Sequence, residues 1–281
     1  MGVVIMELKI TTLIENEEDN QGNLTCEHGL SLYIEFQGKR ILFDTGQTGA
    51  FLDNANKMGI DVTKVDYCIV SHGHYDHSGG MERLGEGLSN PLTLYVGKDF
   101  FVNKYKKLDT GMYKYNGNPF TKKQLLQYPF ELTEVEADVT YLEDNVILFR
   151  NFASQTTYEI PNQRFVRGEE FVCDSFVDEV ALGLLTSKGL VVVVGCSHVG
   201  VVNILKAIQE RINVPIYGVL GGTHLVEADE VRLRETTSAL RGMGIRQIAV
   251  SHCTGEDGKA YMKAQFGEAF IHNNTGNVYT V

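Results

Sequence analysis

A dense group of metal-binding side chains in residues 71–77 limits the folds open to this chain. The segment reads Ser-His-Gly-His-Tyr-Asp-His and places His72, His74, Asp76 and His77 within six positions. Imidazole and carboxylate are the ligands that zinc-type divalent ions select. Four such groups would be costly if they were buried without a partner, and a solvent-exposed loop would have no reason to cluster them. The spacing therefore favours a metal site over a histidine-rich surface loop.

The flanking residues place this group just beyond the end of a strand. Residues 64–70 are rich in β-branched and aromatic side chains, which predicts a buried strand that runs into Ser71. Ser78 is a candidate N-cap, and Gly79 and Gly80 allow a tight entry into a helix near 79–88. Open α/β sheets keep their chemistry at the carboxyl ends of strands, which is where the ligands would lie.

Three further apolar runs end in small residues and then a histidine. Alone, each of these histidines would suit a hydrogen-bonded turn. Together with the first group they predict four strands that end in histidine at one sheet edge. The runs are 190–194 before Gly195-Cys-Ser-His198, 214–220 before Gly221-Gly-Thr-His224, and 246–250 before Ser251-His252.

The His-x-His-x-Asp-His motif followed by isolated histidines at strand ends resembles the metallo-β-lactamase superfamily. One branch is similar in more detail, that of the metal-dependent hydrolases or 7,8-dihydropterin-6-methyl-4-(β-D-ribofuranosyl)aminobenzene-5′-phosphate synthases. The resemblance implies a four-layer αββα sandwich with a one- or two-metal centre at one edge. Its motifs here are Glu27-His-Gly-Leu-Ser31, Leu42-Phe-Asp-Thr-Gly46, Gly195-Cys-Ser-His198, Gly221-Gly-Thr-His-Leu225 and Ser251-His-Cys-Thr-Gly255.

The resemblance also implies two ligand sets. His72 and His74 would share one ion with a later histidine, for which His198 is the candidate, and Asp76, His77 and His252 would hold the other. A superfamily site usually has a carboxylate that bridges both ions after the strand resembling 190–194. Cys196 occupies the comparable place here. It is either a thiolate ligand, which would favour zinc over harder ions, or a small buried residue.

Other residues are candidates for supporting roles. Asp76 and His224 are the catalytic candidates, with His224 either completing the first ion's coordination or acting as a proton donor beside it. Asp44 is either a carboxylate that orients a ligand histidine or a turn-forming residue before Thr-Gly. His28 is a candidate to enter the same pocket on its loop, whereas His272, in a polar terminal turn, is expected to be uninvolved.

The sequence predicts a single α/β (α+β) domain over residues 1–281, with an insertion at about 98–170. A length of 281 residues with 43% hydrophobic side chains is enough to bury one large core. The last fifteen residues predict a closing pair of strands. Strands are expected near 3–14, 30–37, 40–43, 65–71, 179–186, 189–195, 214–220 and 246–251, and helices near 48–58, 79–88, 200–211 and 229–242.

The middle stretch has an unusual charge pattern. Between Lys98 and Lys123 there are seven lysines against two aspartates, interleaved with aromatic residues, and residues 131–144 carry six acidic residues and no basic ones. The basic stretch could cover the metal site and contact an anionic or ring-bearing substrate. The alternative is a solvated helical hairpin whose two arms pair with each other. Arg150, Arg164 and Arg167 are further candidates to bind phosphate.

Composition excludes several classes of protein. A net charge of −11 and a pI near 5.2 argue against a general nucleic-acid partner. No apolar run approaches the roughly 20 residues that span a bilayer, and the N-terminal residues do not resemble a secretion signal. Five cysteines without framework spacing fit a reducing cytoplasm. The sequence leaves the oligomeric state open, including a homo-oligomer.

These observations predict a metal-dependent hydrolase that uses metal-activated water on an ester, lactone or phosphodiester of a small anionic substrate. The expected cofactor is one or two divalent ions, with zinc preferred and iron or manganese as alternatives. Three other functions remain open: a C–N bond-forming synthase of the pterin pathway, a di-iron oxidoreductase, and a non-catalytic sensor that binds a small ligand on the same fold.

Overall fold

The computed structural model of the protein describes residues 8–281, and the part of the first expected strand before Leu8 lies outside them. Its strands, in chain order, are β1 Leu8–Ile14, β2 Ser31–Phe36, β3 Lys39–Phe43, β4 Tyr67–Val70, β5 Leu92–Gly97, β6 Lys104–Lys107, β7 Tyr113–Tyr115, β8 Phe130–Val135, β9 Val139–Glu143, β10 Val146–Phe149, β11 Phe165–Arg167, β12 Val172–Cys173, β13 Ala181–Thr186, β14 Gly189–Val194, β15 Ile216–Gly221, β16 Gln247–Val250 and β17 Val278–Thr280.

Seven α-helices accompany these strands within the described residues. None of them is long and apolar enough to span a bilayer. They are α1 Ala50–Lys57, α2 Tyr75–Ser78, α3 Met81–Gly87, α4 Lys122–Leu125, α5 Val201–Arg211, α6 Glu230–Gly242 and α7 Gly255–Phe266.

Two large sheets form the centre of the molecule. The first has the strand order β17-β1-β2-β3-β4-β5-β8, and the second has the order β16-β15-β14-β13-β10-β9. In the first sheet β3, β4, β5 and β8 run parallel, and in the second β14, β15 and β16 run parallel. The carboxyl ends of neighbouring parallel strands therefore meet at the same rim.

Successive side chains along the central strands point to opposite faces of each sheet, and this produces three apolar layers. In β14, Val191 and Val193 point into the layer between the two sheets, whereas Val192 and Val194 pack under α5 and α6. Ile69 of β4 faces the same inner layer, and Cys68 and Val70 pack under α1 and α3. Strands that are buried on both faces need continuous apolar sequence, which is why both segments are so rich in Val and Ile. The result is the expected four-layer αββα sandwich.

The prediction that four strands end in histidine at one sheet edge was wrong in one respect. We expected four histidine-bearing strands at one sheet edge, but β4 belongs to the first sheet and β14, β15 and β16 belong to the second. Face-to-face packing brings both rims to the same end of the sandwich. A backbone hydrogen bond from Val180 N to Ser71 O, 2.8 Å long, joins the two sides there.

The middle stretch is built mainly of strands. Its β8 extends the first sheet and its β9 and β10 extend the second, while β6, β7, β11 and β12 form a separate four-stranded sheet in the order β12-β11-β6-β7. The helical-hairpin alternative is therefore wrong, because α4 is the only α-helix between residues 98 and 170. Two of its expected charge pairs are present, Lys98 with Glu136 and Lys122 with Glu134.

Two local predictions were also wrong. Ser78 does not cap a helix; it ends the short α2 and donates its hydroxyl to His74 O, and α3 begins after Gly80. The terminal residues contain one strand, β17, rather than a pair, and the unpredicted α7 precedes them. The turn-forming residues between 273 and 277 allowed a hairpin, but β17 pairs with β1 at the edge of the first sheet.

Candidate metal centre

The loops that follow the parallel strands converge at the shared rim of the sandwich. The side chains that the sequence singled out from β4, β14, β15 and β16 are all buried there; they are His72, His74, Asp76, His77, Cys196, His198, His224 and His252. Four loop residues at the rim have a positive φ that is uncommon outside glycine: Asp44 (60°), Ser197 (59°), His224 (48°) and His252 (53°). Such conformations persist only where surrounding contacts hold them, and they concentrate at functional sites.

Three imidazole nitrogens meet in a first cluster. His74 Nδ1 lies 3.0 Å from His72 Nε2 and 3.1 Å from His198 Nε2. A neutral ring nitrogen has either one proton or one lone pair, so His74 Nδ1 cannot form well-aligned hydrogen bonds with both neighbours, and the contacts suit a cation better. Ligands about 2.0–2.1 Å from a tetrahedral zinc ion are separated by about 3.3 Å. The three nitrogens therefore fit a shared divalent ion.

A second cluster joins the other expected ligands. Asp76 Oδ2 lies 3.3 Å from His252 Nε2 and 3.9 Å from His77 Nε2, and Cys196 Sγ lies 3.1 Å from His77 Nε2. His252 Nε2 is buried without a hydrogen-bond partner. A buried lone pair without a partner is unfavourable in the metal-free protein. A cation surrounded by Asp76, His77, Cys196 and His252 would supply the missing partner.

Cys196 is common to both clusters. The donor atoms of Asp76, His77, Cys196 and His252 lie within 4.8 Å of one another, and so do those of His72, Cys196 and His198. His74 belongs with His72 and His198 in the first cluster, because its Nδ1 contacts both of those histidines. In the described residues, these two groups are the sets of three or more ligand side chains close enough to hold an ion.

Buried carboxylates fix the loops that carry the histidines. Asp44 Oδ2 lies 2.6 Å from His77 Nδ1, the contact that an orienting carboxylate needs, and Asp44 Oδ1 accepts the Ser71 N–H at 2.7 Å. Ser71 Oγ donates to Asp44 and also lies 2.9 Å from His72 Nδ1. The Asp44 carboxylate thus holds the backbone at the end of β4. It also contacts the His77 ring directly and the His72 ring through Ser71.

Two acidic residues that precede β13 act on both halves of the site. Asp178 Oδ2 accepts the Gly73 N–H at 2.8 Å, between the first two histidines. Glu179 accepts the N–H groups of His198 and Val199 at 2.8 and 3.1 Å. Lys104 is buried beside Asp178 and pairs with it, which balances the charge of that carboxylate. Burial raises the pKa of the Glu179 carboxyl to about 7.

Glu15 and Asn16 support the remaining ligand from the end of β1. Glu15 accepts the His252 N–H at 3.0 Å, and Asn16 Oδ1 lies 2.8 Å from His252 Nδ1. Sequence reasoning missed Glu15, Asn16, Asp178 and Glu179. Their positions could have identified them, because each of these two pairs of polar residues lies close to one end of a buried strand.

Burial sets the charge state of the histidines. It holds the pKa values of His72, His74 and His198 well below the ordinary range and lowers that of His252 to about 4. Against the effect of burial, the Asp44 and Asp76 carboxylates raise the pKa of His77 to about 9. Most of these rings are therefore neutral at pH 7 and present lone pairs, the form that binds metal.

A pocket opens over the two clusters. His28 enters it as expected: its side chain is half-exposed, and its Nε2 lies 3.2 Å from Asp76 Oδ2. His224 also lines the pocket, with its ring centroid 4.4 Å from that of His198, and burial lowers its pKa to about 4. His272 lies elsewhere and pairs with Glu17.

The separate four-stranded sheet forms one wall of this pocket. Lys106 and Lys114 are direct cross-strand partners, and Phe165 is the partner of Lys106 on its other side. All three residues line the pocket, and the Phe165 ring packs against His74, His198 and His224. The basic, aromatic stretch therefore does reach the site.

The three arginines that the sequence suggested as phosphate ligands do not reach this pocket. Arg150 is buried and donates to the carbonyls of Glu136 and Val177, whereas Arg164 pairs with Asp109 and Arg167 pairs with Asp99. None of them lines the pocket over the clusters. The structure does not support them as phosphate ligands of this pocket, because each bonds to structural partners elsewhere.

Comparison with known proteins agrees with this geometry. The sequence profile of the metallo-beta-lactamase superfamily matches residues 24–198, which is more than half of the chain. The chain belongs to the metallo-beta-lactamase superfamily. The matched segment includes β4 with its histidine loop and ends at His198, so the superfamily match covers most of the residues that converge at the rim.

Two relatives of this superfamily member align along nearly its whole length. The 7,8-dihydropterin-6-methyl-4-(beta-D-ribofuranosyl)-aminobenzene-5'-phosphate synthase of Methanocaldococcus jannaschii is 29% identical and covers 96% of both chains. The crystal structure of Tm1679, a metal-dependent hydrolase of the beta-lactamase superfamily, is 29% identical, superposes with a TM-score of 0.85 and covers 98% of this chain and 99% of that one. YhfI from Bacillus subtilis, at 14% identity and a TM-score of 0.62, shares the fold.

Proposed function

We propose that this protein is a metal-dependent hydrolase that acts on an ester, lactone or phosphodiester of a small anionic substrate. The observation that carries the proposal is the convergence of buried imidazole, carboxylate and thiol donors in two adjacent clusters beneath an open pocket. His72, His74 and His198 would hold one ion, and Asp76, His77 and His252 the other. When bound, such ions supply an activated water near neutral pH and polarise the oxygen under attack.

The chain's own residues would provide the rest of the site. Asp76 directs a carboxylate oxygen toward both His28 and His252 at the floor of the pocket, which is the position from which it could orient a water molecule. His224 would donate a hydrogen bond to the substrate oxygen. Phe165 would exclude water from one wall, and Lys106 and Lys114 would attract an anionic substituent.

Zinc is the ion that we propose for this centre. The donors are imidazole nitrogens, a carboxylate oxygen and one sulfur, a set that suits zinc and iron better than magnesium or calcium. All five cysteines lie within the described residues and are free, which supports a reducing compartment such as the cytoplasm.

The direct test is to purify the protein, quantify its metal by mass spectrometry, and screen lactones and small phosphodiesters. His72→Ala should lose metal and activity together, because one nitrogen of the first cluster is removed. His272→Ala is the matched control, since this histidine lies outside both clusters, and it should retain both properties. Equal turnover by wild type and His72→Ala would overturn the proposal.

A second function is favoured by one specific observation, the near full-length similarity to the Methanocaldococcus synthase. In that case the same centre would promote C–N bond formation in place of hydrolysis, with the two lysines beside a phosphorylated substrate. Incubation with a pterin diphosphate and an aminobenzene ribofuranoside phosphate distinguishes the two: a condensed product supports the synthase, and hydrolysed lactone or phosphodiester without condensation supports the hydrolase.

A further inference from the structure

The sulfur of Cys196 lies between two incomplete sets of metal ligands. The first set offers the nitrogens of three histidines, and the second offers Asp76, His77 and His252. Zinc in proteins is usually four-coordinate, so each set has three protein donors and lacks a fourth. In the described part of the chain, Cys196 is the residue shared by the two groups whose donor atoms all lie within 4.8 Å of one another.

The local backbone places this sulfur where it is. β14 ends at Val194, and Gly195 passes so close to β4 that a Cβ on it would lie 2.1 Å from Ser71 Oγ. Ser197 then turns the chain with a φ of 59°, and its hydroxyl donates to Gly222 O at 2.8 Å. The Cys196 side chain is thereby held facing the clusters, 3% exposed.

The cysteine is unlike an ordinary small core residue. Val192 and Val194 before it pack in the apolar layer under α5 and α6, whereas its own Sγ lies 3.1 Å from His77 Nε2 among polar groups. A thiol is a weak hydrogen-bond donor and contributes little in that position. A thiolate bound to a cation would add a fourth protein donor, and the activated water of the proposed hydrolysis would then be a fifth ligand, a coordination number that zinc can adopt.

We infer that Cys196 is a thiolate metal ligand, positioned between the two sets and within reach of an ion held by either. This inference rests on the proposed metal centre and adds a donor between its two halves. Binding replaces the S–H bond with a sulfur–metal bond and releases one proton to solvent. Because thiolate is a soft ligand, the centre should prefer zinc, cobalt or iron over manganese and magnesium.

The test is titration of the metal-free protein with Co²⁺, followed by absorption spectroscopy. Cobalt–thiolate bonds give a charge-transfer band in the near ultraviolet, and cobalt held by any of these ligands gives visible ligand-field bands. Wild type should show both. Cys196→Ser should keep the visible bands and lose the near-ultraviolet band, and its preference for Zn²⁺ over Mn²⁺ in competition experiments should fall.

Two variants keep the result decisive. Cys253→Ser removes the neighbouring thiol, whose Sγ lies 3.4 Å from Cys196 O, and should retain the charge-transfer band. Cys196→Asp supplies a carboxylate at the same position and should bind two ions without that band, with a shift toward Mn²⁺. Circular dichroism verifies that each variant is folded.

The outcomes separate this inference from the proposed function. Visible cobalt bands without a charge-transfer band in wild type, or a band that survives in Cys196→Ser, would overturn the thiolate ligand and leave the metal-dependent hydrolase standing. Absence of all cobalt bands in folded wild type would overturn both.

Discussion

At the scale of single residues, buried carboxylates determine where the histidines lie. Asp44, Asp178, Glu179 and Glu15 each accept a backbone N–H from a loop that carries candidate ligands. A side chain that binds backbone fixes the position of the whole loop, whereas a contact with one ring fixes only that ring. Removing such an acceptor leaves a buried donor without a partner, which costs about 1–3 kcal/mol per group.

Glu179 provides the clearest test of this arrangement. Glu179→Ala leaves the N–H groups of His198 and Val199 unpaired, so we expect a lower melting temperature and a zinc affinity weaker by about 10–100-fold. Glu179→Gln retains one acceptor oxygen and should lie between that variant and wild type. Chelator competition measures the affinity. The exposed Glu268→Gln is the control, and an unchanged zinc affinity in Glu179→Ala would contradict the prediction.

At the scale of elements, the site depends on how closely β14 approaches β4. The two strands belong to different sheets, and their following loops touch at Gly195 and Ser71. Ser71 in turn contacts both Asp44 and His72, so any displacement there reaches the first cluster. The absence of a side chain at Gly195 is thus a requirement of the site geometry.

Gly195→Ala should therefore weaken both stability and metal binding. Its Cβ would meet Ser71 Oγ at 2.1 Å and Ser71 Cβ at 2.6 Å, and overpacking of this kind costs about 1–3 kcal/mol. Chemical denaturation and zinc stoichiometry measure the two effects. Gly242→Ala is a matched control because a Cβ there meets no atom within 4 Å. Equal behaviour of the two variants would refute the argument.

The small separate sheet also makes a testable contribution. Lys106 pairs with Glu227 at 2.9 Å, whereas no ion pair within residues 8–281 engages Lys114, its cross-strand neighbour. Like charges placed opposite each other on two strands are unfavourable unless an anion lies between them.

Lys114→Gln should raise KM for an anionic substrate and leave kcat unchanged, since Lys114 lies at the pocket wall away from the clusters. Partly exposed charge pairs contribute up to about 1 kcal/mol, so the increase in KM should be about fivefold at most. The effect should diminish at high salt. Lys263→Gln, an exposed lysine outside the pocket, is the control. A change in kcat with KM constant would assign Lys114 a different role.

At the scale of the whole molecule, the centre joins the two halves of the sandwich. Its ligands come from loops of both sheets, so bound ions would hold together elements that are distant in sequence, and their binding free energy would add to that of folding. Without metal, the same site carries a concentration of buried ionisable groups whose protonation must be linked to stability.

The metal-free protein should be unstable in acid. Burial lowers the pKa values of five histidines at this centre, so between about pH 6.5 and 4 the unfolded chain binds more protons at these positions than the folded chain, and stability falls as pH falls. Burial raises the pKa values of Glu15 and Glu179 to about 7, and these carboxyls act in the opposite direction above pH 4.5. The histidines outnumber them; they are His72, His74, His198, His224 and His252.

Thermal unfolding of chelator-treated protein from pH 4 to 8 measures this dependence. We expect the melting temperature to rise across pH 4.5–6.5, since each net proton difference is worth about 1.4 kcal/mol per pH unit. Protein loaded with zinc should have a higher melting temperature at pH 7 and lose its advantage as acid displaces the ion. A melting temperature independent of pH in the metal-free protein would contradict the assignment of these rings as neutral.

The amino-acid sequence by itself determined the strands β1–β4 and β13–β16, the candidate histidine ligands and the class of fold. Strands that are buried on both faces require uninterrupted apolar runs, and the group at residues 71–77 has few uses other than metal binding, so local pattern was sufficient. Short strands such as β6, β7 and β11 lack that pattern, and they form only because they pair with one another and pack over the pocket.

Only the tertiary structure decided which groups face each other. The facing of the two rims, the acceptance of the Gly73 N–H by Asp178, and the position of Cys196 beside His77 depend on contacts between residues that are more than 100 positions apart, 105 for Gly73 and Asp178 and 119 for His77 and Cys196. Local sequence specifies backbone conformation and burial, but distances across the rim follow from how two sheets pack face to face, and no single segment encodes that.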